Sequence, residues 1–267
     1  MKLARNTQHG RLELNFEAVN GKTVLMKDFQ RTPLQIVRPF EQPDGSSVAF
    51  IVNPTAGTMA GDLLEIEVSV GPGARVMLLT QAAQRIHRMN VGRVAIQTLA
   101  FQVHAGGRLE YYPERVLPFA ESDFSSTMRA TLEAGAEFAF LETYAVGRVL
   151  HGERLRFRRL CSRVEVWRGE VLEYLDTLSL EPEIQNLSAK GALEGANFWA
   201  SGLFMGAKPP SSTPRSELLV SGFTYGGAVW LRGLSSSGPG LDLELTGARD
   251  QLRGELFGVA PLRIRRT

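Results

Sequence analysis

The chain has 267 residues, 43% of them hydrophobic, with 30 Lys plus Arg against 28 Asp plus Glu. That length and apolar content bury a substantial core and predict one domain, 1–267, near the upper end of all-β sizes; a formal charge of only +2, with no long basic run, argues against nucleic-acid binding. One cysteine, Cys161, excludes an intrachain disulfide and a Cys-based structural zinc site, and the lack of a signal-type apolar region or of a run of about eighteen apolar residues predicts a soluble, unprocessed, cytoplasmic chain that spans no membrane.

In chain order, Asn20-Gly21 between LELNFEAV and KTVLMKDF is a strong hairpin signal, because both turn positions must tolerate positive φ. Pro43-Asp44-Gly45 is predicted to join a strand at Leu34–Pro39 to one at Ser47–Val52. Gly71-Pro72-Gly73 joins the next pair, Leu64–Val70 and Arg75–Thr80, whose side chains alternate apolar and polar with period two. Strands follow at Val94–Val103, Arg108–Tyr112, Ser125–Leu132, Glu137–Val146, Arg154–Trp167 and Glu170–Leu180. Turns recurring every 8–12 residues or so, with almost no helical periodicity before residue 185, predict sheets packed on each other rather than βαβ units. The fold class is mainly β, with stacked short strands in a β-helix-like or sandwich arrangement and a few C-terminal helices. Periodicity alone leaves those two arrangements open, and no clear internal repeat emerges.

Helical signals gather late. Ala189–Phe204 is rich in Ala and Gly and ambiguous, whereas Leu241, Leu245, Ala248, Leu252 and Leu256 recur at helical spacing, with Gly258 and Pro261 placed to stop the helix. Between them, AKPPSSTPRS at 207–216 reads as an exposed loop.

The chemistry-bearing residues are sparse. His87 lies between Arg85 and Arg88, where cationic neighbours disfavour both protonation and a divalent ion. With His9, His104 and His151 far off and no HxH or HxxxH pair, a structural or hydrogen-bonding role is expected for it. There is no GxSxG, the serines at 235–237 read as a turn, and TAGTMAGD lacks the Lys-Ser/Thr of a phosphate loop. Asp62 is either a turn-stabilising residue or a carboxylate aimed into a cavity; as a surface-turn residue, its change to Ala is expected to leave folding nearly intact. Asp62, Glu110, Glu114, Asp123 and Asp176 are candidates to converge as a glycosidase-type carboxylate pair. Phe198, Trp199, Phe204 and Met205 are core or part of a docking surface.

AGTMAGD at 56–62, LLTQAAQRIHRM at 78–89, LEYYPERVLPF at 109–119, GRVLHGERLRFRR at 147–159 and FGVAPLRIRRT at 257–267 resemble, in order and spacing, the urease accessory protein UreD family, also called UreH. The resemblance covers most of the chain; it departs at the Arg-flanked His87-Arg88-Met89, where many relatives carry an aromatic-basic pair. It implies a β-helix-like stack with a pair of helices toward the C-terminal part. It also implies a non-enzymatic scaffold that joins UreF and the GTPase UreG, docks on apo-urease and helps nickel reach the urease active site, with no permanently bound cofactor and nickel only in transit. In that family the Gly-Asp matching Gly61-Asp62 lies by an internal passage proposed to carry nickel, and Thr80, Glu153 and Asp176 fall in stretches comparable to other passage-lining positions. The family's C-terminal region is associated with UreF, which implies that Phe198, Trp199, Phe204 and Met205 lie near that contact, with the 207–216 loop and the tail Leu262–Arg266 at its rim. Two rivals stand beside this: a β-helical carbohydrate-active enzyme using a carboxylate pair, and a β-rich adaptor without a metal role.

Overall fold

A computed structural model describes residues 7–206, 220–225 and 227–261. The 207–216 loop and the tail beyond Pro261 lie outside the described residues. In chain order the strands are β1 (His9–Val19), β2 (Lys22–Arg31), β3 (Gln35–Ile36), β4 (Phe40–Glu41), β5 (Ser47–Val52), β6 (Leu63–Val70), β7 (Arg75–Gln81), β8 (Gln84–Ile86) and β9 (Ala95–Val103). They continue with β10 (Arg108–Tyr112), β11 (Val116–Pro118), β12 (Asp123–Leu132), β13 (Glu137–Ala145), β14 (Arg159–Arg168), β15 (Val171–Leu180), β16 (Phe198–Met205), β17 (Val220–Tyr225) and β18 (Ala228–Ser235), before the helix α1 (Gly238–Phe257).

From β6 to β14 the principal strands alternate between two sheets. β6, β9, β12 and β14 pair in parallel in one sheet; β7, β10 and β13 pair in parallel in the other. Each circuit of the chain therefore adds one strand to each sheet, which makes the arrangement a β-solenoid and decides between the two alternatives that periodicity left open. The β1–β2 hairpin at one end and the β14–β15 hairpin at the other are antiparallel, and β16, β18 and β17 extend the second sheet beyond β13, each antiparallel to the strand before it in that order.

The solenoid exposes a repeat that the sequence hid. Gly71-Pro72-Gly73-Ala74, His104-Ala105-Gly106-Gly107 and Glu133-Ala134-Gly135-Ala136 form the same corner three times, each closed by a bond from the fourth residue's N–H to the first residue's carbonyl at 2.8–3.1 Å. Gly73, Gly106 and Gly135 have φ of +70°, +68° and +73°, a left-handed conformation that suits glycine. Consecutive corners are linked by His104 N to Val70 O and Glu133 N to Val103 O, both 2.9 Å. Gly71-Pro72-Gly73 is thus a corner between sheets and not a turn between paired neighbours. Connections of unequal length on the opposite edge break the period along the chain.

Other elements follow local chemistry. Asn20 and Gly21 both take positive φ, 51° and 78°, and close the first hairpin. The expected strand at Leu34–Pro39 is reduced to β3, and β4 follows only after Pro39, which has no N–H to donate. The strand expected from Arg154 begins only at Arg159. Ala189–Phe204 is no helix; an irregular segment runs to Asn197 and β16 follows. One C-terminal helix, α1, stands among the described residues where a pair was expected. Ser237 caps it by accepting from Gly240 N at 3.2 Å, and Gly258, at φ 64°, ends it.

Burial explains the sheet patterns. β9 alternates buried and exposed residues along its whole length, because the outer face of its sheet meets solvent. β10 is buried throughout, because Leu241, Leu245, Leu252 and Leu256 of α1 cover the outer face of the second sheet over Met77, Tyr112, Leu141 and Phe204. Between the sheets lies the main core, including Phe16, Phe101, Tyr111, Phe138, Phe140 and Tyr174. No described helix is long and apolar enough to cross a membrane.

Candidate functional site

The main core does not stay apolar along its whole length. Phe138 and Phe140 on β13 point between the sheets, and the next two residues on that face are Glu142 and Tyr144. Glu142 pairs across the sheet with Ser201, and Ser201 with Arg232, so register alone sets these three side chains in a line. From the facing sheet, β15 sends Tyr174, Asp176, Leu178 and Leu180 inward. A cavity of about 440 Å3 results, lined by Glu142, Tyr144, Ser162, Asp176, Ser201 and Arg232 among apolar groups that include Trp199.

Within it, Asp176 is fully engaged. Its Oδ1 lies 2.9 Å from Arg232 Nη2, and its Oδ2 accepts from Ser201 Oγ at 2.7 Å and from the Tyr174 hydroxyl at 3.3 Å. Arg232 also donates to Ser201 Oγ at 2.8 Å. Glu142, 7% exposed, accepts only the Tyr144 hydroxyl at 2.8 Å among its resolved bonds. Burial pushes its carboxyl up to about 7, the Tyr144 hydrogen bond opposes that rise, and the Asp176 charge adds to it. The cavity therefore pairs an arginine-neutralised carboxylate with one that changes charge near neutrality. Such oxygen donors bind a divalent transition ion more weakly than a Cys/His cluster does, and among the described residues no group of three or more His, Cys, Asp or Glu is placed to hold a metal ion together.

Of the four sequence-derived passage candidates, only Asp176 lines this cavity. Asp62, Thr80 and Glu153 lie on the solenoid edge opposite the glycine corners, where β6 begins, β7 ends and the segment before β14 crosses. Each ties loops together. Asp62 is buried, at 2% exposed; its Oδ1 accepts from Gln8 N at 2.8 Å and its Oδ2 from Met59 N at 2.7 Å. It is not a surface-turn residue, so the expectation that Asp62→Ala would leave folding nearly intact is corrected. Thr80 Oγ1 accepts from Glu114 N at 2.7 Å. Glu153 accepts from Arg148 through both Nε and Nη2 and from Ala120 N at 3.1 Å, and the Arg148 bond is the main force holding its carboxyl below the usual range.

The proposed carboxylate set does not converge. Glu110, Glu114 and Asp176 line three separate cavities, Asp123 pairs with Arg159, and Asp62 serves backbone amides. His87 donates from Nε2 to the Ala56 carbonyl at 3.0 Å and packs edge-on against Phe119, the hydrogen-bonding role expected of it. Trp199, Phe204 and Met205 are buried and offer no exposed docking surface; Trp199 stacks on Tyr144 at 4.9 Å between centroids, and half-buried Phe198 lies under the Arg115 guanidinium at 4.6 Å. Sequence reasoning missed Glu142, Tyr144, Ser201 and Arg232. The available signal was a lone charge at an inward position of an otherwise apolar strand, in FAFLETYAV for Glu142 and AVWLRGL for Arg232.

The family model for the UreD urease accessory protein matches residues 8–265. A protein of Deinococcus radiodurans named urease accessory protein UreD is 45% identical, over 100% of this chain and 98% of its own length. Proteins of the same description from Acetivibrio thermocellus and, as UreD 1, from a Synechococcus strain are 37% and 34% identical, over 73% and 84% of this chain and 74% and 84% of their own lengths.

Proposed function

This chain belongs to the UreD urease accessory protein family, and from that membership we propose that it acts in urease maturation as a non-enzymatic scaffold. In this proposal it works in the cytoplasm, joins UreF and the GTPase UreG to apo-urease, and gives nickel a path toward the urease active site. Nickel is cargo, and no cofactor stays bound.

The observation that carries the proposal is the carboxylate pair between the sheets. Burying a carboxylate without a cationic partner is costly, and Glu142 has no such partner among its resolved bonds, whereas Asp176 has Arg232. A divalent ion entering the cavity meets Glu142, Asp176 and the hydroxyls of Tyr144, Ser162 and Ser201. Because Glu142 titrates at about 7, it gives up its proton to an arriving ion at little cost near neutrality and regains it when the ion leaves. Asp62, Thr80 and Glu153 then hold the loop edge through which such a path opens. Phe198, Trp199, Phe204 and Met205 support, from inside, the region that meets UreF. The glycosidase rival loses support because its carboxylates are dispersed.

The test is urease activation with Glu142→Gln or Asp176→Asn in place of the wild-type chain, measuring nickel per urease active site and co-purification of the accessory complex. The expected outcome is reduced nickel with assembly intact. Full nickel loading by both variants refutes a role for the cavity.

A further inference from the structure

The outer face of the first sheet, beside the glycine corners, carries side chains that the urease role does not use. His104 opens the second corner and Glu133 the third, and Ser69 stands two residues before the first, so successive circuits of the solenoid set the three side by side. His104 Nδ1 lies 2.9 Å from Glu133 Oε1, and Glu133 Oε2 accepts from Ala105 N at 2.9 Å. The Ala105 bond first, and then that from His104, holds the Glu133 carboxyl below its usual range. An ionised carboxylate can only accept, so Nδ1 carries the proton and the neutral ring turns the Nε2 lone pair toward Ser69, whose Oγ is 3.4 Å away. That distance is long for a hydrogen bond but falls within the looser spacing such pairs show before a substrate binds. A hydroxyl, an imidazole and a carboxylate in this order are the arrangement in which a base activates a serine and an acid orients the base.

We propose that Ser69, His104 and Glu133 form an acyl-transfer site that accepts a small activated carboxylic ester. Attack by Ser69 Oγ on the ester carbonyl forms the new C–O bond while the hydroxyl proton passes to His104 Nε2. Collapse of the tetrahedral intermediate breaks the ester C–O bond, and the same proton leaves with the alcohol. Water, giving its proton to His104, then attacks acyl-Ser69; the proton returns to Ser69 Oγ and a carboxylic acid departs. An open groove of about 400 Å3 beside the nucleophile has Ser69, Asn15, Gln102 and Thr131 in its wall. Asn15 and Gln102 are the cross-strand partners of Ser69 on either side, and their side-chain amides are the donor type that stabilises an oxyanion. The scaffold role needs no such chemistry, and the two stand or fall separately.

The experiment is incubation of the purified full-length chain with p-nitrophenyl acetate, following acetylation of individual serines by peptide mass spectrometry in quenched time points. Ser69 is expected to acetylate about 100-fold faster than the exposed Ser236 of the same molecule. His104→Gln is expected to lower the Ser69 rate by about 100-fold or more, and Glu133→Gln by about tenfold through loss of the charged acceptor. Because Ser69 and Ser236 are read in one wild-type chain, that comparison decides the matter even where a variant fails to fold. Acetylation of Ser69 no faster than Ser236, or a Ser69 rate unchanged in folded His104→Gln, overturns the proposal.

Discussion

Replacing Glu142 with Gln removes a buried group that ionises within the physiological range while keeping an acceptor for the Tyr144 hydroxyl, 2.8 Å away. Burial first, against the Tyr144 bond and with the Asp176 charge, raises this carboxyl from an ordinary 4.5 to about 7 in the folded chain. A raised folded value means that the native state holds the proton more tightly than the unfolded one. The associated stability is fully present below about pH 4.5 and is lost as pH rises through about 7. At 1.36 kcal/mol per pH unit of displacement, the wild type forfeits roughly 3 kcal/mol across that window and the Gln variant forfeits none of it. Groups away from the cavity are common to the two proteins, so the difference between them reports on Glu142 and the neighbours its charge acts on. Denaturant unfolding at pH 5 and pH 8 is the assay. Between pH 5, where less than about 1 kcal/mol of that stability is already lost, and pH 8 the variant should gain about 2.5 kcal/mol relative to the wild type. Parallel stability curves across that range would refute the argument that Glu142 is held by desolvation, and with it the proton exchange proposed for ion passage.

Three further outcomes follow from particular contacts. Asp62→Ala strands two amides, Gln8 N and Met59 N, that now meet its carboxylate. It should cost about 2–4 kcal/mol, read as a lower urea midpoint, and a neutral result would mean that the loop repairs itself. Gly106→Ala forces a side chain into φ +68° at the middle corner of three. A loss of about 1–2 kcal/mol is expected in denaturant unfolding, and an unchanged midpoint would refute it. Glu110→Ala leaves Arg253 and Arg108 buried without their shared carboxylate. It should destabilise by about 3–5 kcal/mol in thermal or denaturant unfolding, and a loss under 1 kcal/mol would show that solvent or an anion replaces the carboxylate.

The amino-acid sequence by itself determined most of the longer strands as far as β15 and most of their limits, the first hairpin and the last helix, because period-two alternation, Asn-Gly and the leucine spacing of α1 act over a few residues; it did not find β16, β17 or β18. Its ordered motifs also carried the family. It did not decide how strands on one face were stacked. That choice rests on hydrogen bonds between residues a full circuit apart, so Gly71-Pro72-Gly73 read as a turn joining neighbours where it is a corner between sheets. The site divided in the same way. Asp176 was legible as a carboxylate, but its meeting with Arg232 and Ser201 depends on register across β13, β16 and β18 and on the sheet facing them. Glu142 became significant only when the packing of two sheets withdrew it from water and left it Tyr144 as its resolved partner. Local pattern records what a residue prefers; long-range packing decides the dielectric it occupies, and at Glu142 that dielectric sets its charge.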